Sequence, residues 1–285
     1  PASAGEVRGM RWPRKRSTVL ALDRRLEWEA GVQVPPDWQP SQVAVVAHWS
    51  ASGALSRSVQ ELCRQLVSVG FETLLISAAQ FTGERPGPAS PGDGVSLWRR
   101  PNSGYDFGTW SAALHAFPGI RGADEVLLVN DSMLGPFDDI TPIIKRMFTG
   151  TGLVWGLTES FQKHWHLQSN FVGYRSGILA QPQFLEFWDG VAHQSSKDDV
   201  IAEYEIGLGR LLRRNDVPVE VAFPTADLPI RRRQNPTIRG WSALICAGLP
   251  MVKRQLVTDP GVAPDAAEVG PQIRRRFGQD VAGWM

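Results

Sequence analysis

The sequence predicts an α/β domain in which a mostly parallel sheet is flanked by helices. Three observations carry that prediction. Short apolar runs such as VAVVAH and EVLLVN have the length of strands buried on both faces. Stretches between them place apolar residues three and four apart, the spacing of one helical face. Strands that alternate with helices, rather than with tight hairpin turns, build a parallel sheet.

Residues 1–40 end in VPPDWQP, whose prolines predict a linker; the domain is expected over 41–260, with a tail at 261–285. VAVVAHWS (Val43 to Ser50) is the first strand. Leu55, Val59, Leu62, Leu66 and Val69 make the next helical face, closed by Gly70. FETLLIS and VSLWRR are strands separated by the loop TGERPGPASPGDG. NSGYDFG opens a helix carrying Phe107, Trp110, Leu114 and Phe117. EVLLVN (Glu125 to Asn130) is a central strand, followed by a helix with Ile140, Ile143, Ile144 and Met147. LVWGL and the alternating HLQSNFVGY are strands, and Phe184 to Val191 is helical. A longer helix runs from about Asp199 to Arg214, and VEVAF is a late strand.

Composition narrows the function. The chain has 285 residues and a net charge of +1, which gives no global electrostatic case for nucleic acid. Its two cysteines, Cys63 and Cys246, have no metal-ligand spacing, and Cys63 sits on the apolar face of its helix. No run reaches the ~18–20 apolar residues needed to cross a bilayer. The basic start (Arg8, Arg11, Arg14, Lys15, Arg16, with Trp12) is either a solvated tail or a contact for anionic headgroups.

Candidate site residues collect where strands end, and open α/β sheets bind ligands at the carboxyl ends of their strands. His48 ends the first strand, and Asn102, Gly104 and Asp106 follow the third. Asn130, Asp131 and Ser132 end the fourth, and Glu159 follows the fifth. Asp131 has two readings, a ligand for a cation or ribose and a turn cap before Gly135-Pro136. Asp106 is expected to cap the helix beside it, at a helix N-terminus that also suits phosphate. His164, His166, Gln168 and Asn170 share one side of a presumed strand, which suits hydroxyl-rich ligands or a plain exposed edge. Glu205 lies on an otherwise apolar stripe with Ile201, Leu208 and Leu212. That placement marks it as a general base or a partner in a structural ion pair. Lys253 and Arg254 either close over phosphates or form a basic surface turn.

In order, VAVVAHWS, RPNSGYDFGTWSAAL, LLVNDSMLGPF, WGLTES, HLQSNFVGY, FLEFW, YEIGLG and NPTIRGWSALICAGLPMVKRQL resemble the rhamnan synthesis protein F family of bacterial polysaccharide enzymes. The resemblance spans roughly Val43 to Leu256 and implies a GT-A-like, Rossmann-type glycosyltransferase. It implies that Asn102, Gly104 and Asp106 lie beside a nucleotide and that Asp131 stands where relatives carry a metal-binding Asp-x-Asp. Glu205 of YEIGLG then deprotonates the acceptor in an inverting transfer. Here the strand ends Asn-Asp-Ser, so a Mg²⁺ or Mn²⁺ ion would share one carboxylate with diphosphate and water.

The expected function is transfer of a sugar, rhamnose among the candidates, from a nucleoside-diphosphate sugar to a cell-surface polysaccharide or lipid-linked glycan. The expected place is cytoplasmic, at the inner face of the plasma membrane, with other polysaccharide-assembly proteins as partners. A non-catalytic nucleotide-sugar-binding subunit is the alternative. A hydrolase built on His48 and Ser52 is a third reading, although no GxSxG elbow is present.

Overall fold

The computed structural model describes residues 22–78 and 90–285. The basic segment from Arg8 to Arg16 and residues 79–89, which include the first part of the glycine- and proline-rich loop, lie outside the described residues. Within the stretch expected to be a linker, β1 (Glu27–Gly31) joins the sheet by antiparallel pairing with β4 (Val95–Arg99). Leu22, Leu26 and Trp38 of the same stretch pack on the core.

β2 (Gln42–His48) is buried at every position after its first, as a strand covered on both faces must be. Ser56 caps α1 (Arg57–Val69) by accepting from the Val59 N–H. Gly70 ends that helix at φ 109°, a left-handed conformation that glycine adopts without a Cβ clash. β3 (Glu72–Ser77) and β4 follow, then α2 (Tyr105–Ala116), β5 (Glu125–Asn130), the two-residue β6 (Met133–Leu134) and α3 (Thr141–Thr149). β7 (Val154–Ser160), β8 (His166–Leu167), β9 (Phe171–Arg175) and α4 (Pro182–Asp189) come next. The predicted long helix is α5 (Lys197–Val200), a π turn (Ile201–Glu205) and α6 (Ile206–Arg214) in continuous succession. β10 (Val219–Phe223), α7 (Pro236–Arg239), α8 (Trp241–Cys246), β11 (Val252–Lys253), α9 (Gln255–Thr258) and α10 (Val269–Phe277) complete the described chain.

The α/β prediction holds. The sheet runs β1-β4-β3-β2-β5-β9-β7-β10, with β8 also on β7. β2, β3, β4, β5, β7 and β10 point one way, since β9 is antiparallel to both β5 and β7. From β2 the chain moves outward through β3 and β4, then returns to place β5 on the other side of β2. That reversal is the topological switch point, where such sheets open a crevice at their carboxyl ends.

One face of the sheet is covered by α2, α4 and α6 through Phe107, Trp110, Phe184, Trp188 and Leu208. The other is covered by α1, α3 and α8 through Leu62, Leu66, Ile144 and Leu244. Burying side chains of this size contributes about 1.5–3 kcal/mol each. Residues of the expected tail form a third cluster, in which Val269, Ile273 and Trp284 pack around Leu134 and Phe137.

One predicted strand differs. HLQSNFVGY is not a single strand but β8 and β9 interrupted by a bulge. Glu159 pairs with Leu167 and Gly156 with Val172, so Leu157 and Thr158 face the four residues 168–171. Extra residues of this kind kink a strand and re-aim its side chains, so strict alternation from His164 to Asn170 is lost. The Cys63 thiol is buried, and that burial pushes its pKa up to about 12, as expected of an inert core cysteine.

Candidate functional site

The switch point brings the ends of β2 and β5 together. Asp131 follows β5, and its carboxylate Oδ2 accepts from the Trp49 N–H at 3.1 Å. His48 Nε2 approaches the same oxygen at 3.9 Å. Burial first, then the charges of Arg99 and Arg254, hold the His48 pKa down to about 4. The imidazole is therefore neutral, and this approach is a dipole contact rather than an ion pair. His48 Nδ1 lies 3.0 Å from Ser77 Oγ, and Arg99 Nη1 donates to that hydroxyl at 2.6 Å. Arg99 is in turn gripped by both carboxylate oxygens of Glu29 on β1. The structure thus pairs His48 with Ser77, not Ser52, whose hydroxyl accepts from the Ala54 N–H. The pair required by the hydrolase reading is absent.

Sequence-distant basic residues arrive through a two-residue ladder. β11 pairs antiparallel with β6, placing Lys253 opposite Met133. Lys253 Nζ then donates to Ser132 Oγ at 2.9 Å, while Arg254 Nε and Nη2 donate to the Asp131 carbonyl at 3.2 Å. Asn130 joins the group, donating to Asp106 Oδ2 at 2.7 Å and accepting from the Ser132 N–H at 3.1 Å. Asp106 does not cap α2. The cap is Gly104 at φ 79°, without a side-chain bond, and Asp106 sits in the first turn with its carboxylate on Asn130. A side chain at position 104 would meet Leu22 and Gly108, so glycine also serves close packing there.

Charge is crowded here. Burial, then the neighbouring Asp131, pushes the Asp106 pKa up to about 7, with Glu205 adding to the shift. Burial likewise raises Asp131, opposed by the Trp49 N–H and by Arg254. Burial lowers Lys253, against the pull of Glu205, Asp106 and Asp131. Three carboxylates therefore surround one ammonium group.

Glu205 closes the far side. It lies in the π turn, where the Ile206 N–H reaches back to the Ile201 carbonyl. Such single-turn insertions recur at functional sites because they re-aim one face of a helix. The Ser169 hydroxyl donates to Glu205 Oε1, and His166 Nε2 lies 3.7 Å from Oε2. His166 Nδ1 faces the His164 carbonyl at 2.9 Å; a carbonyl only accepts, so Nδ1 carries a proton.

The other predicted residues are dispersed. Asn102 is exposed on the loop before α2, and His164 is exposed in the β7–β8 hairpin. Glu159 accepts from the Trp165 indole at 2.6 Å. Gln168 is buried and bonds Thr158, Asn235 and Thr237, which ties the bulge to α7.

The bulge also carries Asn170, the fourth polar residue of the face expected from His164 to Asn170. Asn170 is 2% exposed, and neither atom of its amide has a hydrogen-bond partner among the described residues. Its carbonyl accepts from the Asn130 N–H at 3.2 Å, beside the site. An unpaired buried amide costs about 1–3 kcal/mol, a cost that hydrogen bonds to a polar ligand would remove. Asn170→Ala is expected to leave the melting temperature unchanged or raised, and to weaken ligand binding about tenfold or more. A melting temperature that drops by several degrees with binding intact would assign Asn170 to structure alone.

Among the described residues, no group of three or more His, Cys, Asp or Glu side chains could hold a metal ion, and no helix is long and apolar enough to cross a membrane. A divalent cation would fit only as a shared ion, with Asp131 as its protein ligand beside diphosphate and water.

Residues 95–276 match the family model described as rhamnan synthesis protein F. That interval contains Asp106, Asp131, Glu205 and Lys253. The chain is 26% identical over 191 residues to virulence protein VirA of Vibrio anguillarum, covering 56% of this chain and 61% of that protein. It is 29% identical over 114 residues to the uncharacterized protein y4gN of Sinorhizobium fredii, covering 38% of this chain and 30% of that protein. The chain thus spans less than two thirds of the length of either relative.

Proposed function

The chain belongs to the rhamnan synthesis protein F family and so to polysaccharide synthesis; from there we propose that it is a GT-A-like glycosyltransferase using a nucleoside-diphosphate sugar. One observation carries the reading. At the switch point, Asp131, Ser132, Lys253 and Arg254 form a charged ledge suited to diphosphate, with Glu205 across from it. The strand order supports the same reading, because a β4-β3-β2-β5 half with a crevice at β2 and β5 is the nucleotide-binding arrangement of open α/β sheets.

The bond to be broken joins the anomeric carbon to diphosphate. Lys253 and Arg254 would neutralise charge on the leaving group, a fixed electrostatic contribution that needs no reorganisation. A Mg²⁺ or Mn²⁺ ion held by Asp131 would add positive charge at the same oxygens. Glu205 would take the proton of the attacking hydroxyl, with His166 Nε2 next in line at 3.7 Å. Direct attack with one base inverts the anomeric centre. Trp49, whose N–H bonds Asp131, and Tyr105, which precedes Asp106, are 52% and 41% exposed and offer flat apolar surfaces to a base or sugar ring. The acceptor would be a polysaccharide or lipid-linked glycan at the cytoplasmic membrane face.

A non-catalytic nucleotide-sugar-binding subunit is favoured by one feature, the single carboxylate after β5. A thermal-shift panel of nucleoside diphosphates and nucleotide sugars, with and without Mg²⁺ or Mn²⁺, tests the shared part of both readings. A ligand at 100 times its Kd stabilises the fold by about 2.7 kcal/mol. At least one nucleoside diphosphate should raise the melting temperature, and none doing so would sink both.

A further inference from the structure

A second charged surface lies outside the ledge. The loop after β7 carries Lys163, the loop after β10 carries Arg231, Arg232 and Arg233, and α6 carries Arg210 and Arg213. All six are exposed. Two cation–π contacts bind the elements into one rim. The Arg232 guanidinium lies 4.2 Å from the Phe161 ring, and that of Arg213 lies 4.9 Å from the Trp165 ring. β7 and β10 point the same way as β2 and β5, so the two loops rise from the edge of the sheet that bears the site.

The asymmetry is large for a chain of net charge +1. The carboxylates on or next to these segments, Glu203, Asp216 and Asp227, are fewer, and Glu159 is engaged by the Trp165 indole. Cations interleaved with half-buried Phe161 and Trp165 are the composition of a protein surface at a lipid interface, where amphipathic rings sit at headgroup level.

We propose that this rim docks on a bilayer rich in anionic phospholipid and turns the carboxyl edge of the sheet toward the membrane. The inference is independent of which sugar is transferred, and of whether any is. It assigns contact to residues of the sheet edge rather than to the basic N-terminal segment.

Flotation of the full chain with vesicles of phosphatidylglycerol and phosphatidylcholine, against phosphatidylcholine alone, tests it. Binding should require the anionic lipid and fall with salt, as screened surface charges do. Each Lys or Arg near an anionic surface is worth about fivefold in partition, so replacing Arg231, Arg232 and Arg233 together by Gln should weaken binding about 100-fold. Lys163→Gln, on the other loop, should weaken it about fivefold. An equal change of charge on α10, at Arg274, Arg275 and Arg276, should have little effect. Melting temperatures of the rim and α10 variants should stay near wild type, because each residue substituted there is exposed. Equal loss from the rim and α10 variants would reduce the effect to net charge and overturn the proposal. So would unchanged binding of the rim variant, loss only on substituting Arg14, Lys15 and Arg16, or no preference for anionic lipid.

Discussion

Asp131→Asn should reduce glycosyl transfer by at least about 10²–10³, the loss typical when one preorganised electrostatic element is removed. The fold should be untouched. Asparagine keeps an oxygen for the Trp49 N–H, and the backbone N–H of residue 131 still donates to the Ala47 carbonyl at 3.1 Å. Burial already disfavours the Asp131 charge, so a neutral amide should hold or raise the melting temperature. What is lost is the negative charge that a cation would share with diphosphate. Turnover and melting temperature, measured together, check this. Full turnover in the variant would make Asp131 a turn residue and leave Lys253 and Arg254 alone at the leaving group.

Glu205→Gln should depress turnover by about 10²–10⁴, the usual cost of a positioned base, with donor affinity almost unchanged. Glutamine can still accept from Ser169 and keeps the volume of the side chain, so the contacts around the π turn survive. Only the capacity to take a proton disappears. The effect should therefore sit in kcat rather than KM for the donor. A structural Glu205 would instead lower the melting temperature and leave the surviving enzyme near full rate. NMR of the anomeric proton in the product separately tests inversion.

Much of this site could be read before any coordinates. β2 and β5 are continuous apolar runs that stop at polar residues, so His48 and Asp131 were placed at strand ends by hydrophobicity alone. The sequence marks Lys253 and Arg254 as phosphate-binding candidates or a basic surface turn, but it does not mark their partners. β6 and β11 are two residues each, too short to carry any period, and only their pairing joins positions 132 and 253. β1 escaped for a related reason. EWEAG, behind a proline-rich neighbour, reads as linker, whereas its Glu29 reaches the buried Arg99 and so supports Ser77 and His48.

The irregular elements were the least legible. A period-two reading of HWHLQSN puts four polar residues, His164, His166, Gln168 and Asn170, on one face. Instead, the β7–β8 hairpin leaves His164 exposed, and the bulge buries Gln168 in structural bonds and sets Ser169 against Glu205. A period of 3.6 gave Glu205 its apolar stripe, but the π turn that aims it has no periodic signature. Both departures occur where the proposed acceptor side lies. Irregular backbone costs stability and is kept where geometry at a site demands it.

The most direct test is release of nucleoside diphosphate from a panel of nucleotide sugars, dTDP-rhamnose included, with bacterial lipid-linked glycan as acceptor. Release should depend on acceptor, match the sugar incorporated and vanish in Asp131→Asn and Glu205→Gln. Donors that bind the protein and are recovered intact, with acceptor present, would contradict catalysis and leave a nucleotide-sugar-binding subunit.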